Sequence, residues 1–124
     1  MNVVDSSAWL EYFADGPNAS AFALAVEATD DLIVPTICFY EVFKSVLRQR
    51  GESAALSAIA LMRQGRASPL TERISLLAAD LSLQTRLPMA DSVILATARV
   101  HRAHIWTQDA DFDGLDGVTF LAKE

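Results

Sequence analysis

Four acidic residues, Asp5, Glu41, Asp91 and Asp109, hold the chemical interest of this chain. Asp5 lies between "NVV" and "SS", Asp91 within "LPMADSVILATA", and Asp109 opens an acidic stretch with Asp111, Asp113 and Asp116. Gathered together, such carboxylates repel one another and raise each other's pKa values. Magnesium or manganese relieves that repulsion, because hard cations choose oxygen ligands. A pair of such ions roughly 3.5–4 Å apart activates water and stabilises the leaving oxygen of a phosphodiester. That chemistry needs no Cys or His nucleophile. The two histidines, His101 and His104, lie at a helix–strand junction and read as surface residues.

Taken singly, the acids divide. Asp5 serves equally well as a helix N-cap or turn acid. It does not fit the first signature of haloacid-dehalogenase phosphotransferases, which needs a second Asp where this chain has Ser7. Glu41 falls with Lys44, Ser45 and Arg48 on the side of its helix opposite Phe39, Val42, Phe43 and Val46, so alone it reads as a solvated acid paired with Lys44. Asp91 resists that treatment. At about 100° per residue, Ile94, Leu95 and Ala98 share its side, so it heads the stripe that should face a core. An unpaired charge there costs several kcal/mol. Either the helix start is exposed or a cation lies opposite, and the cation is the favoured reading. The stretch from Asp109 resembles an EF-hand loop only in its Gly114. Phe120 stands where a bidentate Glu belongs, which excludes that motif. Asp111, Asp113 and Asp116 also suit turns and short helices as capping acids.

The elements that must position these residues are short. "NVV" reads as a first strand, followed by a helix starting near Ser6 or Ser7, either of which suits an N-cap. That helix stops at Gly16-Pro17, and "NASAFALAVEATD" forms a second. "LIVP" is a buried strand, and Thr36 offers an N-cap for a helix reaching Gly51. Helices are expected over Glu52–Gln64, Thr71–Arg86 and from Pro88 to about His101, with "RASPL" a weak strand before the second of them. "HIWT" and "VTFLA" complete the strands around the acidic loop. Alternating strands and helices imply right-handed crossovers and a parallel sheet covered on both faces. Sites in such folds form beyond the carboxyl ends of strands, at a topological switch point. Asp5 and Asp109 both stand at strand exits.

Composition narrows the class without deciding function. At 124 residues, 52% hydrophobic and 21% charged, the chain fits one domain over residues 1–124, with a real core and no repeat or linker. No apolar run reaches the ~18 residues of a membrane span, and no secretory signal is visible. Cys38 is the sole cysteine, and a cytoplasmic location is expected. The net charge of −6 opposes the usual balance of a phosphate-gripping protein. Nucleic acid then remains a partner only if the acids hold cations that bridge to phosphate.

The segments "VVDSSAWLEYF", "VPTICFYEVFKSVLR", "SPLTERISLLAADL", "LPMADSVILATARVHRAHIWTQDADFDGL" and "VTFL" together resemble the PIN domains, and more narrowly the VapC-type toxins of toxin–antitoxin pairs. The resemblance covers nearly the whole chain in order and spacing. It implies a three-layer α/β/α sandwich with a central, mostly parallel sheet of four to five short strands. It further implies a magnesium-dependent endoribonuclease in which manganese substitutes. By that resemblance Asp5, Glu41, Asp91 and Asp109 are catalytic, with Asp5, Asp91 and Asp109 on the metal. Ser7 and Thr107 are the supporting hydroxyls, and Asp113 assists at the metal edge. Lys44, Arg48, Arg99 and Arg102 are candidate phosphate contacts, for which exposed helix charge is an equally good account. Trp9, Tyr12, Phe13 and Phe22 are core or antitoxin groove, with core preferred for Phe13. The implied partners are tRNA or ribosomal RNA, a VapB-type antitoxin that alone carries operator DNA, and a second copy of the chain. Two other classes compare poorly or need less. A phosphoacceptor receiver domain would need an Asp in "RASPL" and a Lys farther from the terminus than Lys123. A catalytically inactive binding module of the same fold would need no metal.

Overall fold

The computed structural model describes residues 1–124. Five strands form one sheet: β1 (Asn2–Val4), β2 (Leu32–Pro35), β3 (Arg66–Ser68), β4 (His104–Thr107) and β5 (Val118–Phe120). Six helices connect them: α1 (Ser6–Phe13), α2 (Ala19–Val26), α3 (Thr36–Arg50), α4 (Glu52–Met62), α5 (Glu72–Thr85) and α6 (Met89–His101). The sheet order is β3-β2-β1-β4-β5, and every pairing is parallel. The expected sandwich is therefore present, with five strands and no antiparallel member.

That order dictates where a site can lie. The chain steps outward from β1 to β3, then crosses back to β4 on the other side of β1. Right-handed crossovers in opposite directions place α1–α4 on one face and α5–α6 on the other. The connections part between β1 and β4, which makes their carboxyl ends the switch-point crevice.

Short strands hold because both faces are covered. Val3 and Val4 of β1, Ile33 and Val34 of β2 and Ile105 of β4 are all buried. Trp9 and Phe22 cover them as core residues rather than groove residues. Helix α6 is buried continuously from Ser92 to Ala98, the pattern of a helix packed on more than one side.

Two expected caps are corrected. Asp5, not Ser6 or Ser7, caps α1, because its carboxylate accepts from the Ser7 N–H while both serines are already helical. Thr36 is likewise the first residue of α3 rather than its cap, and Pro35 precedes it without a side-chain bond. Gly51 ends α3 as expected. Its φ of +90° suits glycine and lets the same residue start α4 at once.

Gly65, before β3, is required by close approach. A Cβ there would stand 2.9 Å from Leu32 side-chain carbons and 3.1 Å from the Leu32 carbonyl oxygen. Leu32 is buried and cannot yield without moving β2. Gly65→Ala should therefore destabilise the protein by about 1–3 kcal/mol, read as a lower urea midpoint at unchanged slope.

Candidate active site

Asp5 is fixed before its side chain makes any contact. It is the first residue beyond β1, and its N–H still pairs with the Trp106 carbonyl of β4 at 2.9 Å. Its Oδ2 then accepts from Ser7 Oγ at 2.7 Å and, across the switch point, from Thr107 Oγ1 at 2.8 Å. Each hydroxyl has one proton to give, and both are given to this oxygen. The same hydroxyls accept from the loop after β4: Ser7 Oγ from the Gln108 N–H at 3.1 Å, and Thr107 Oγ1 from the Asp109 N–H at 2.9 Å. Ser7 and Thr107 thus tie the exits of β1 and β4 to one another through a single carboxylate. All of Asp5's side-chain hydrogen bonds fall on Oδ2, which leaves Oδ1 for another partner.

Glu41 lies in the second turn of α3, half-buried, with Oε1 accepting from Ser6 Oγ at 2.7 Å. The surface reading of Glu41 fails because α3 packs against both α1 and α6. A helical wheel shows one helix and cannot show that its polar side meets two neighbours. Asp91 sits in the first turn of α6, also half-buried.

The electrostatics of the group are one-sided. Burial pushes the Asp5 carboxyl above its usual range, the Ser7 and Thr107 hydrogen bonds pull it back, and Asp109 raises it again. Burial likewise raises Glu41, against the Ser6 bond and with Asp5 and Asp109. Asp91 is raised to about 7, first by burial and then by Asp5, Asp109, Glu41 and Asp111. Every charged group that perturbs these three is another acid. Beneath them the buried Cys38 thiol is pushed upward by burial, then by Asp5, and is held unreactive.

Asp91, Asp109 and Asp111 each place a ligand atom within 4.8 Å of the others. Oxygens on opposite sides of magnesium stand about 4.2 Å apart, so the trio needs only a small closure to share one ion. Hard oxygen donors and an excess of negative charge, to which Asp5 adds, suit a divalent cation. Asp111 is the residue that sequence reasoning passed over as a turn acid. Asp109 starts the short 3-10 turn Ala110–Phe112 by accepting from the Asp111 N–H at 2.9 Å, and the buried Phe112 anchors it. A buried aromatic directly after an acid was the available signal. Asp113 is exposed, stands at the far end of that turn and lies outside the trio.

The basic candidates do not gather here. Lys44 is exposed, with its ammonium 5.6 Å from the centre of the Tyr40 ring. Arg48 is exposed farther along α3. Arg99 and Arg102 lie toward the other end of α6, Arg102 about 16 Å along the axis from Asp91. A cleft of about 460 Å3 instead runs from Ser7 and Asp109 between α1 and α3, reaching Arg50 and Lys123. Phe13 is half-buried and lines this cleft, so it is only partly core.

A parallel sandwich with an acidic centre at its switch point defines a class, and the sequence itself names it. The chain belongs to the PIN-domain family, whose model matches residues 3–118. Solved structures share the architecture. A toxin–antitoxin complex from Klebsiella pneumoniae superposes with a TM-score of 0.83 at 23% identity, covering 100% of both chains. VapC20 of Mycobacterium tuberculosis, a sarcin–ricin-loop-cleaving toxin, gives 0.78 at 18% identity over 95% of this chain and 97% of its own. VapBC2 of Rickettsia felis, bound to a fragment of its promoter DNA, gives 0.75 at 10% identity over 99% and 98%. At these identities the likeness is one of fold. No curated protein matches the chain. No helix is long and apolar enough to cross a membrane.

Proposed function

We propose that this PIN-domain protein is a divalent-metal-dependent endoribonuclease and the toxin of a toxin–antitoxin pair. The observation that carries the reading is the set of five acids at the β1/β4 switch point, where every charge acting on Asp5, Glu41 and Asp91 comes from another acid. Asp91, Asp109, Asp111 and Asp5 Oδ1 would hold magnesium or manganese. When bound, the ion lowers the pKa of water and stabilises charge on the phosphodiester. The chain's own residues do the rest. Ser7 and Thr107 fix Asp5 with one oxygen turned to the metal side. Glu41, already raised toward protonation and held through Oε1, is the group that accepts a proton at Oε2. Val4, next to Asp5, and Leu95, one turn beyond Asp91, are buried.

A toxin role, a VapB-type antitoxin and operator DNA reached through it are supported by the assemblies that share the fold, and a homodimer is part of the same proposal. A structured RNA substrate, ribosomal or transfer, is supported by the loop-cleaving relative. Action in the cytoplasm, by a single domain, belongs to the same proposal.

Purified protein incubated with total RNA should cleave it in magnesium or manganese. Chelation should slow cleavage about 100-fold or more, since bound metal supplies several kcal/mol of transition-state stabilisation. Cleavage unchanged by chelation would overturn the metal assignment, and intact RNA in both metals would overturn the nuclease reading.

A further inference from the structure

We propose that the cleft between α1 and α3 carries the RNA strand away from the acidic centre, with Arg50 and Lys123 holding its phosphates. The inference rests on the nuclease reading above. The cleft is continuous with the centre, because Ser7 and Asp109 line both. Its basic residues are Arg50 and Lys123, whereas Lys44 and Arg48 stand outside it.

Both cations are exposed, and the backbone that carries each is tied to the cleft. Arg50 ends α3, and its Nη1 donates to the Phe13 carbonyl at 3.4 Å across the cleft wall. The remaining guanidinium donors make no hydrogen bond within the protein. Lys123 follows Ala122, whose carbonyl accepts from the buried Asn18 Nδ2 at 3.0 Å. The same Asn18 nitrogen donates to Gln108 Oε1 at 3.0 Å, in the loop that carries Asp109. One buried amide therefore fixes the tail bearing Lys123 relative to the acidic loop.

Charge selects the occupant. Metal at the acidic end, Lys123 beside the acidic loop and Arg50 at the end of α3 present positive charge along one path, and the cleft's further acid, Glu11, is engaged by the Asn18 N–H at 2.8 Å and Gln108 Nε2 at 3.4 Å. Nine residues of α3 separate Glu41 from Arg50, about 14 Å along the axis, so the contacted phosphates lie beyond the scissile one.

The test measures binding of single-stranded RNA to Asp91→Asn protein over a range of KCl concentrations. Each phosphate contact to a single strand contributes about 0.7 to the slope of log K against log salt. Adding Arg50→Ala and Lys123→Ala should make the slope shallower by about 1.4. Adding Lys44→Ala and Arg48→Ala removes the same charge and should leave it unchanged. In the wild-type background the cleft pair should raise KM and spare kcat. Equal slopes for both pairs, or a loss confined to the Lys44 and Arg48 pair, overturn the inference. So does an unchanged RNA slope with lost inhibition by an antitoxin peptide, which would make the cleft a protein groove. Wild-type cleavage in metal alongside any of these results leaves the nuclease reading standing, whereas absent cleavage removes both.

Discussion

Asp91→Asn should make the metal-free protein more stable and abolish RNA cleavage. The two effects share one cause. The Asp91 carboxyl titrates at about 7 in the fold, against about 3.9 in an unfolded chain. Above pH 7 the fold therefore carries a charge that the unfolded chain solvates better. Asparagine keeps the shape and removes the charge. The gain in EDTA at about pH 8 should be on the order of 1 kcal/mol, discounted for the half-exposed position of the group. Cleavage should fall about 100-fold or more, because the amide is a poorer ligand for a hard cation. Thermal unfolding in EDTA and initial cleavage rates in magnesium provide the two readings. A variant less stable than wild type in EDTA, or one that cuts at the wild-type rate, would remove Asp91 from the centre.

The second large effect is a reversal of pH dependence on adding metal. Asp5, Glu41 and Asp91 are all raised above their ordinary values. A folded state with raised carboxyl pKa values binds more protons than the unfolded chain. Its stability contribution is complete below the unfolded values near 4 and is lost as pH rises through the folded ones. For Asp91 that loss is centred at about 7. Metal-free protein should therefore be more stable at about pH 5 than at about pH 8. Saturating magnesium should invert the order, because ligands bind metal only when deprotonated. At a hundredfold excess over Kd the ion adds about 2.7 kcal/mol. Urea midpoints at the two pH values, with EDTA and with magnesium, test this directly. Parallel pH slopes with and without metal would show that the acids do not share a cation.

Much of the architecture was legible because local pattern and tertiary demand agree. "LIVP" and "HIWT" are short runs that became β2, buried at every position, and β4, in which buried Ile105 and Thr107 alternate with half-buried His104 and Trp106. The Asp91 anomaly was legible for the opposite reason: an acid on an apolar stripe contradicts its own helix, and such conflicts concentrate at functional sites. Glu41 was not legible from its helix alone, since its value depends on α1 and α6 arriving beside it. The resemblance to PIN domains supplied it instead. Asp111 escaped because a turn acid and a metal-facing acid look alike until Phe112 is known to be buried. Arg99 and Arg102 stand apart from Asp91 because the length of α6 lies between them.

Asp5 and Thr107 are bonded to each other although 102 positions separate them. A ribosome synthesising this protein releases Asp5 and Glu41 well before the strand that braces them has left the exit tunnel. Until β4 docks beside β1, the first acid has neither its Thr107 partner nor the loop carrying Asp109. Contacts of such long sequence separation form late and slowly. On the proposed nuclease reading, a half-made chain is therefore harmless to the RNA around it, and a cell meets the activity only after translation of nearly the whole message.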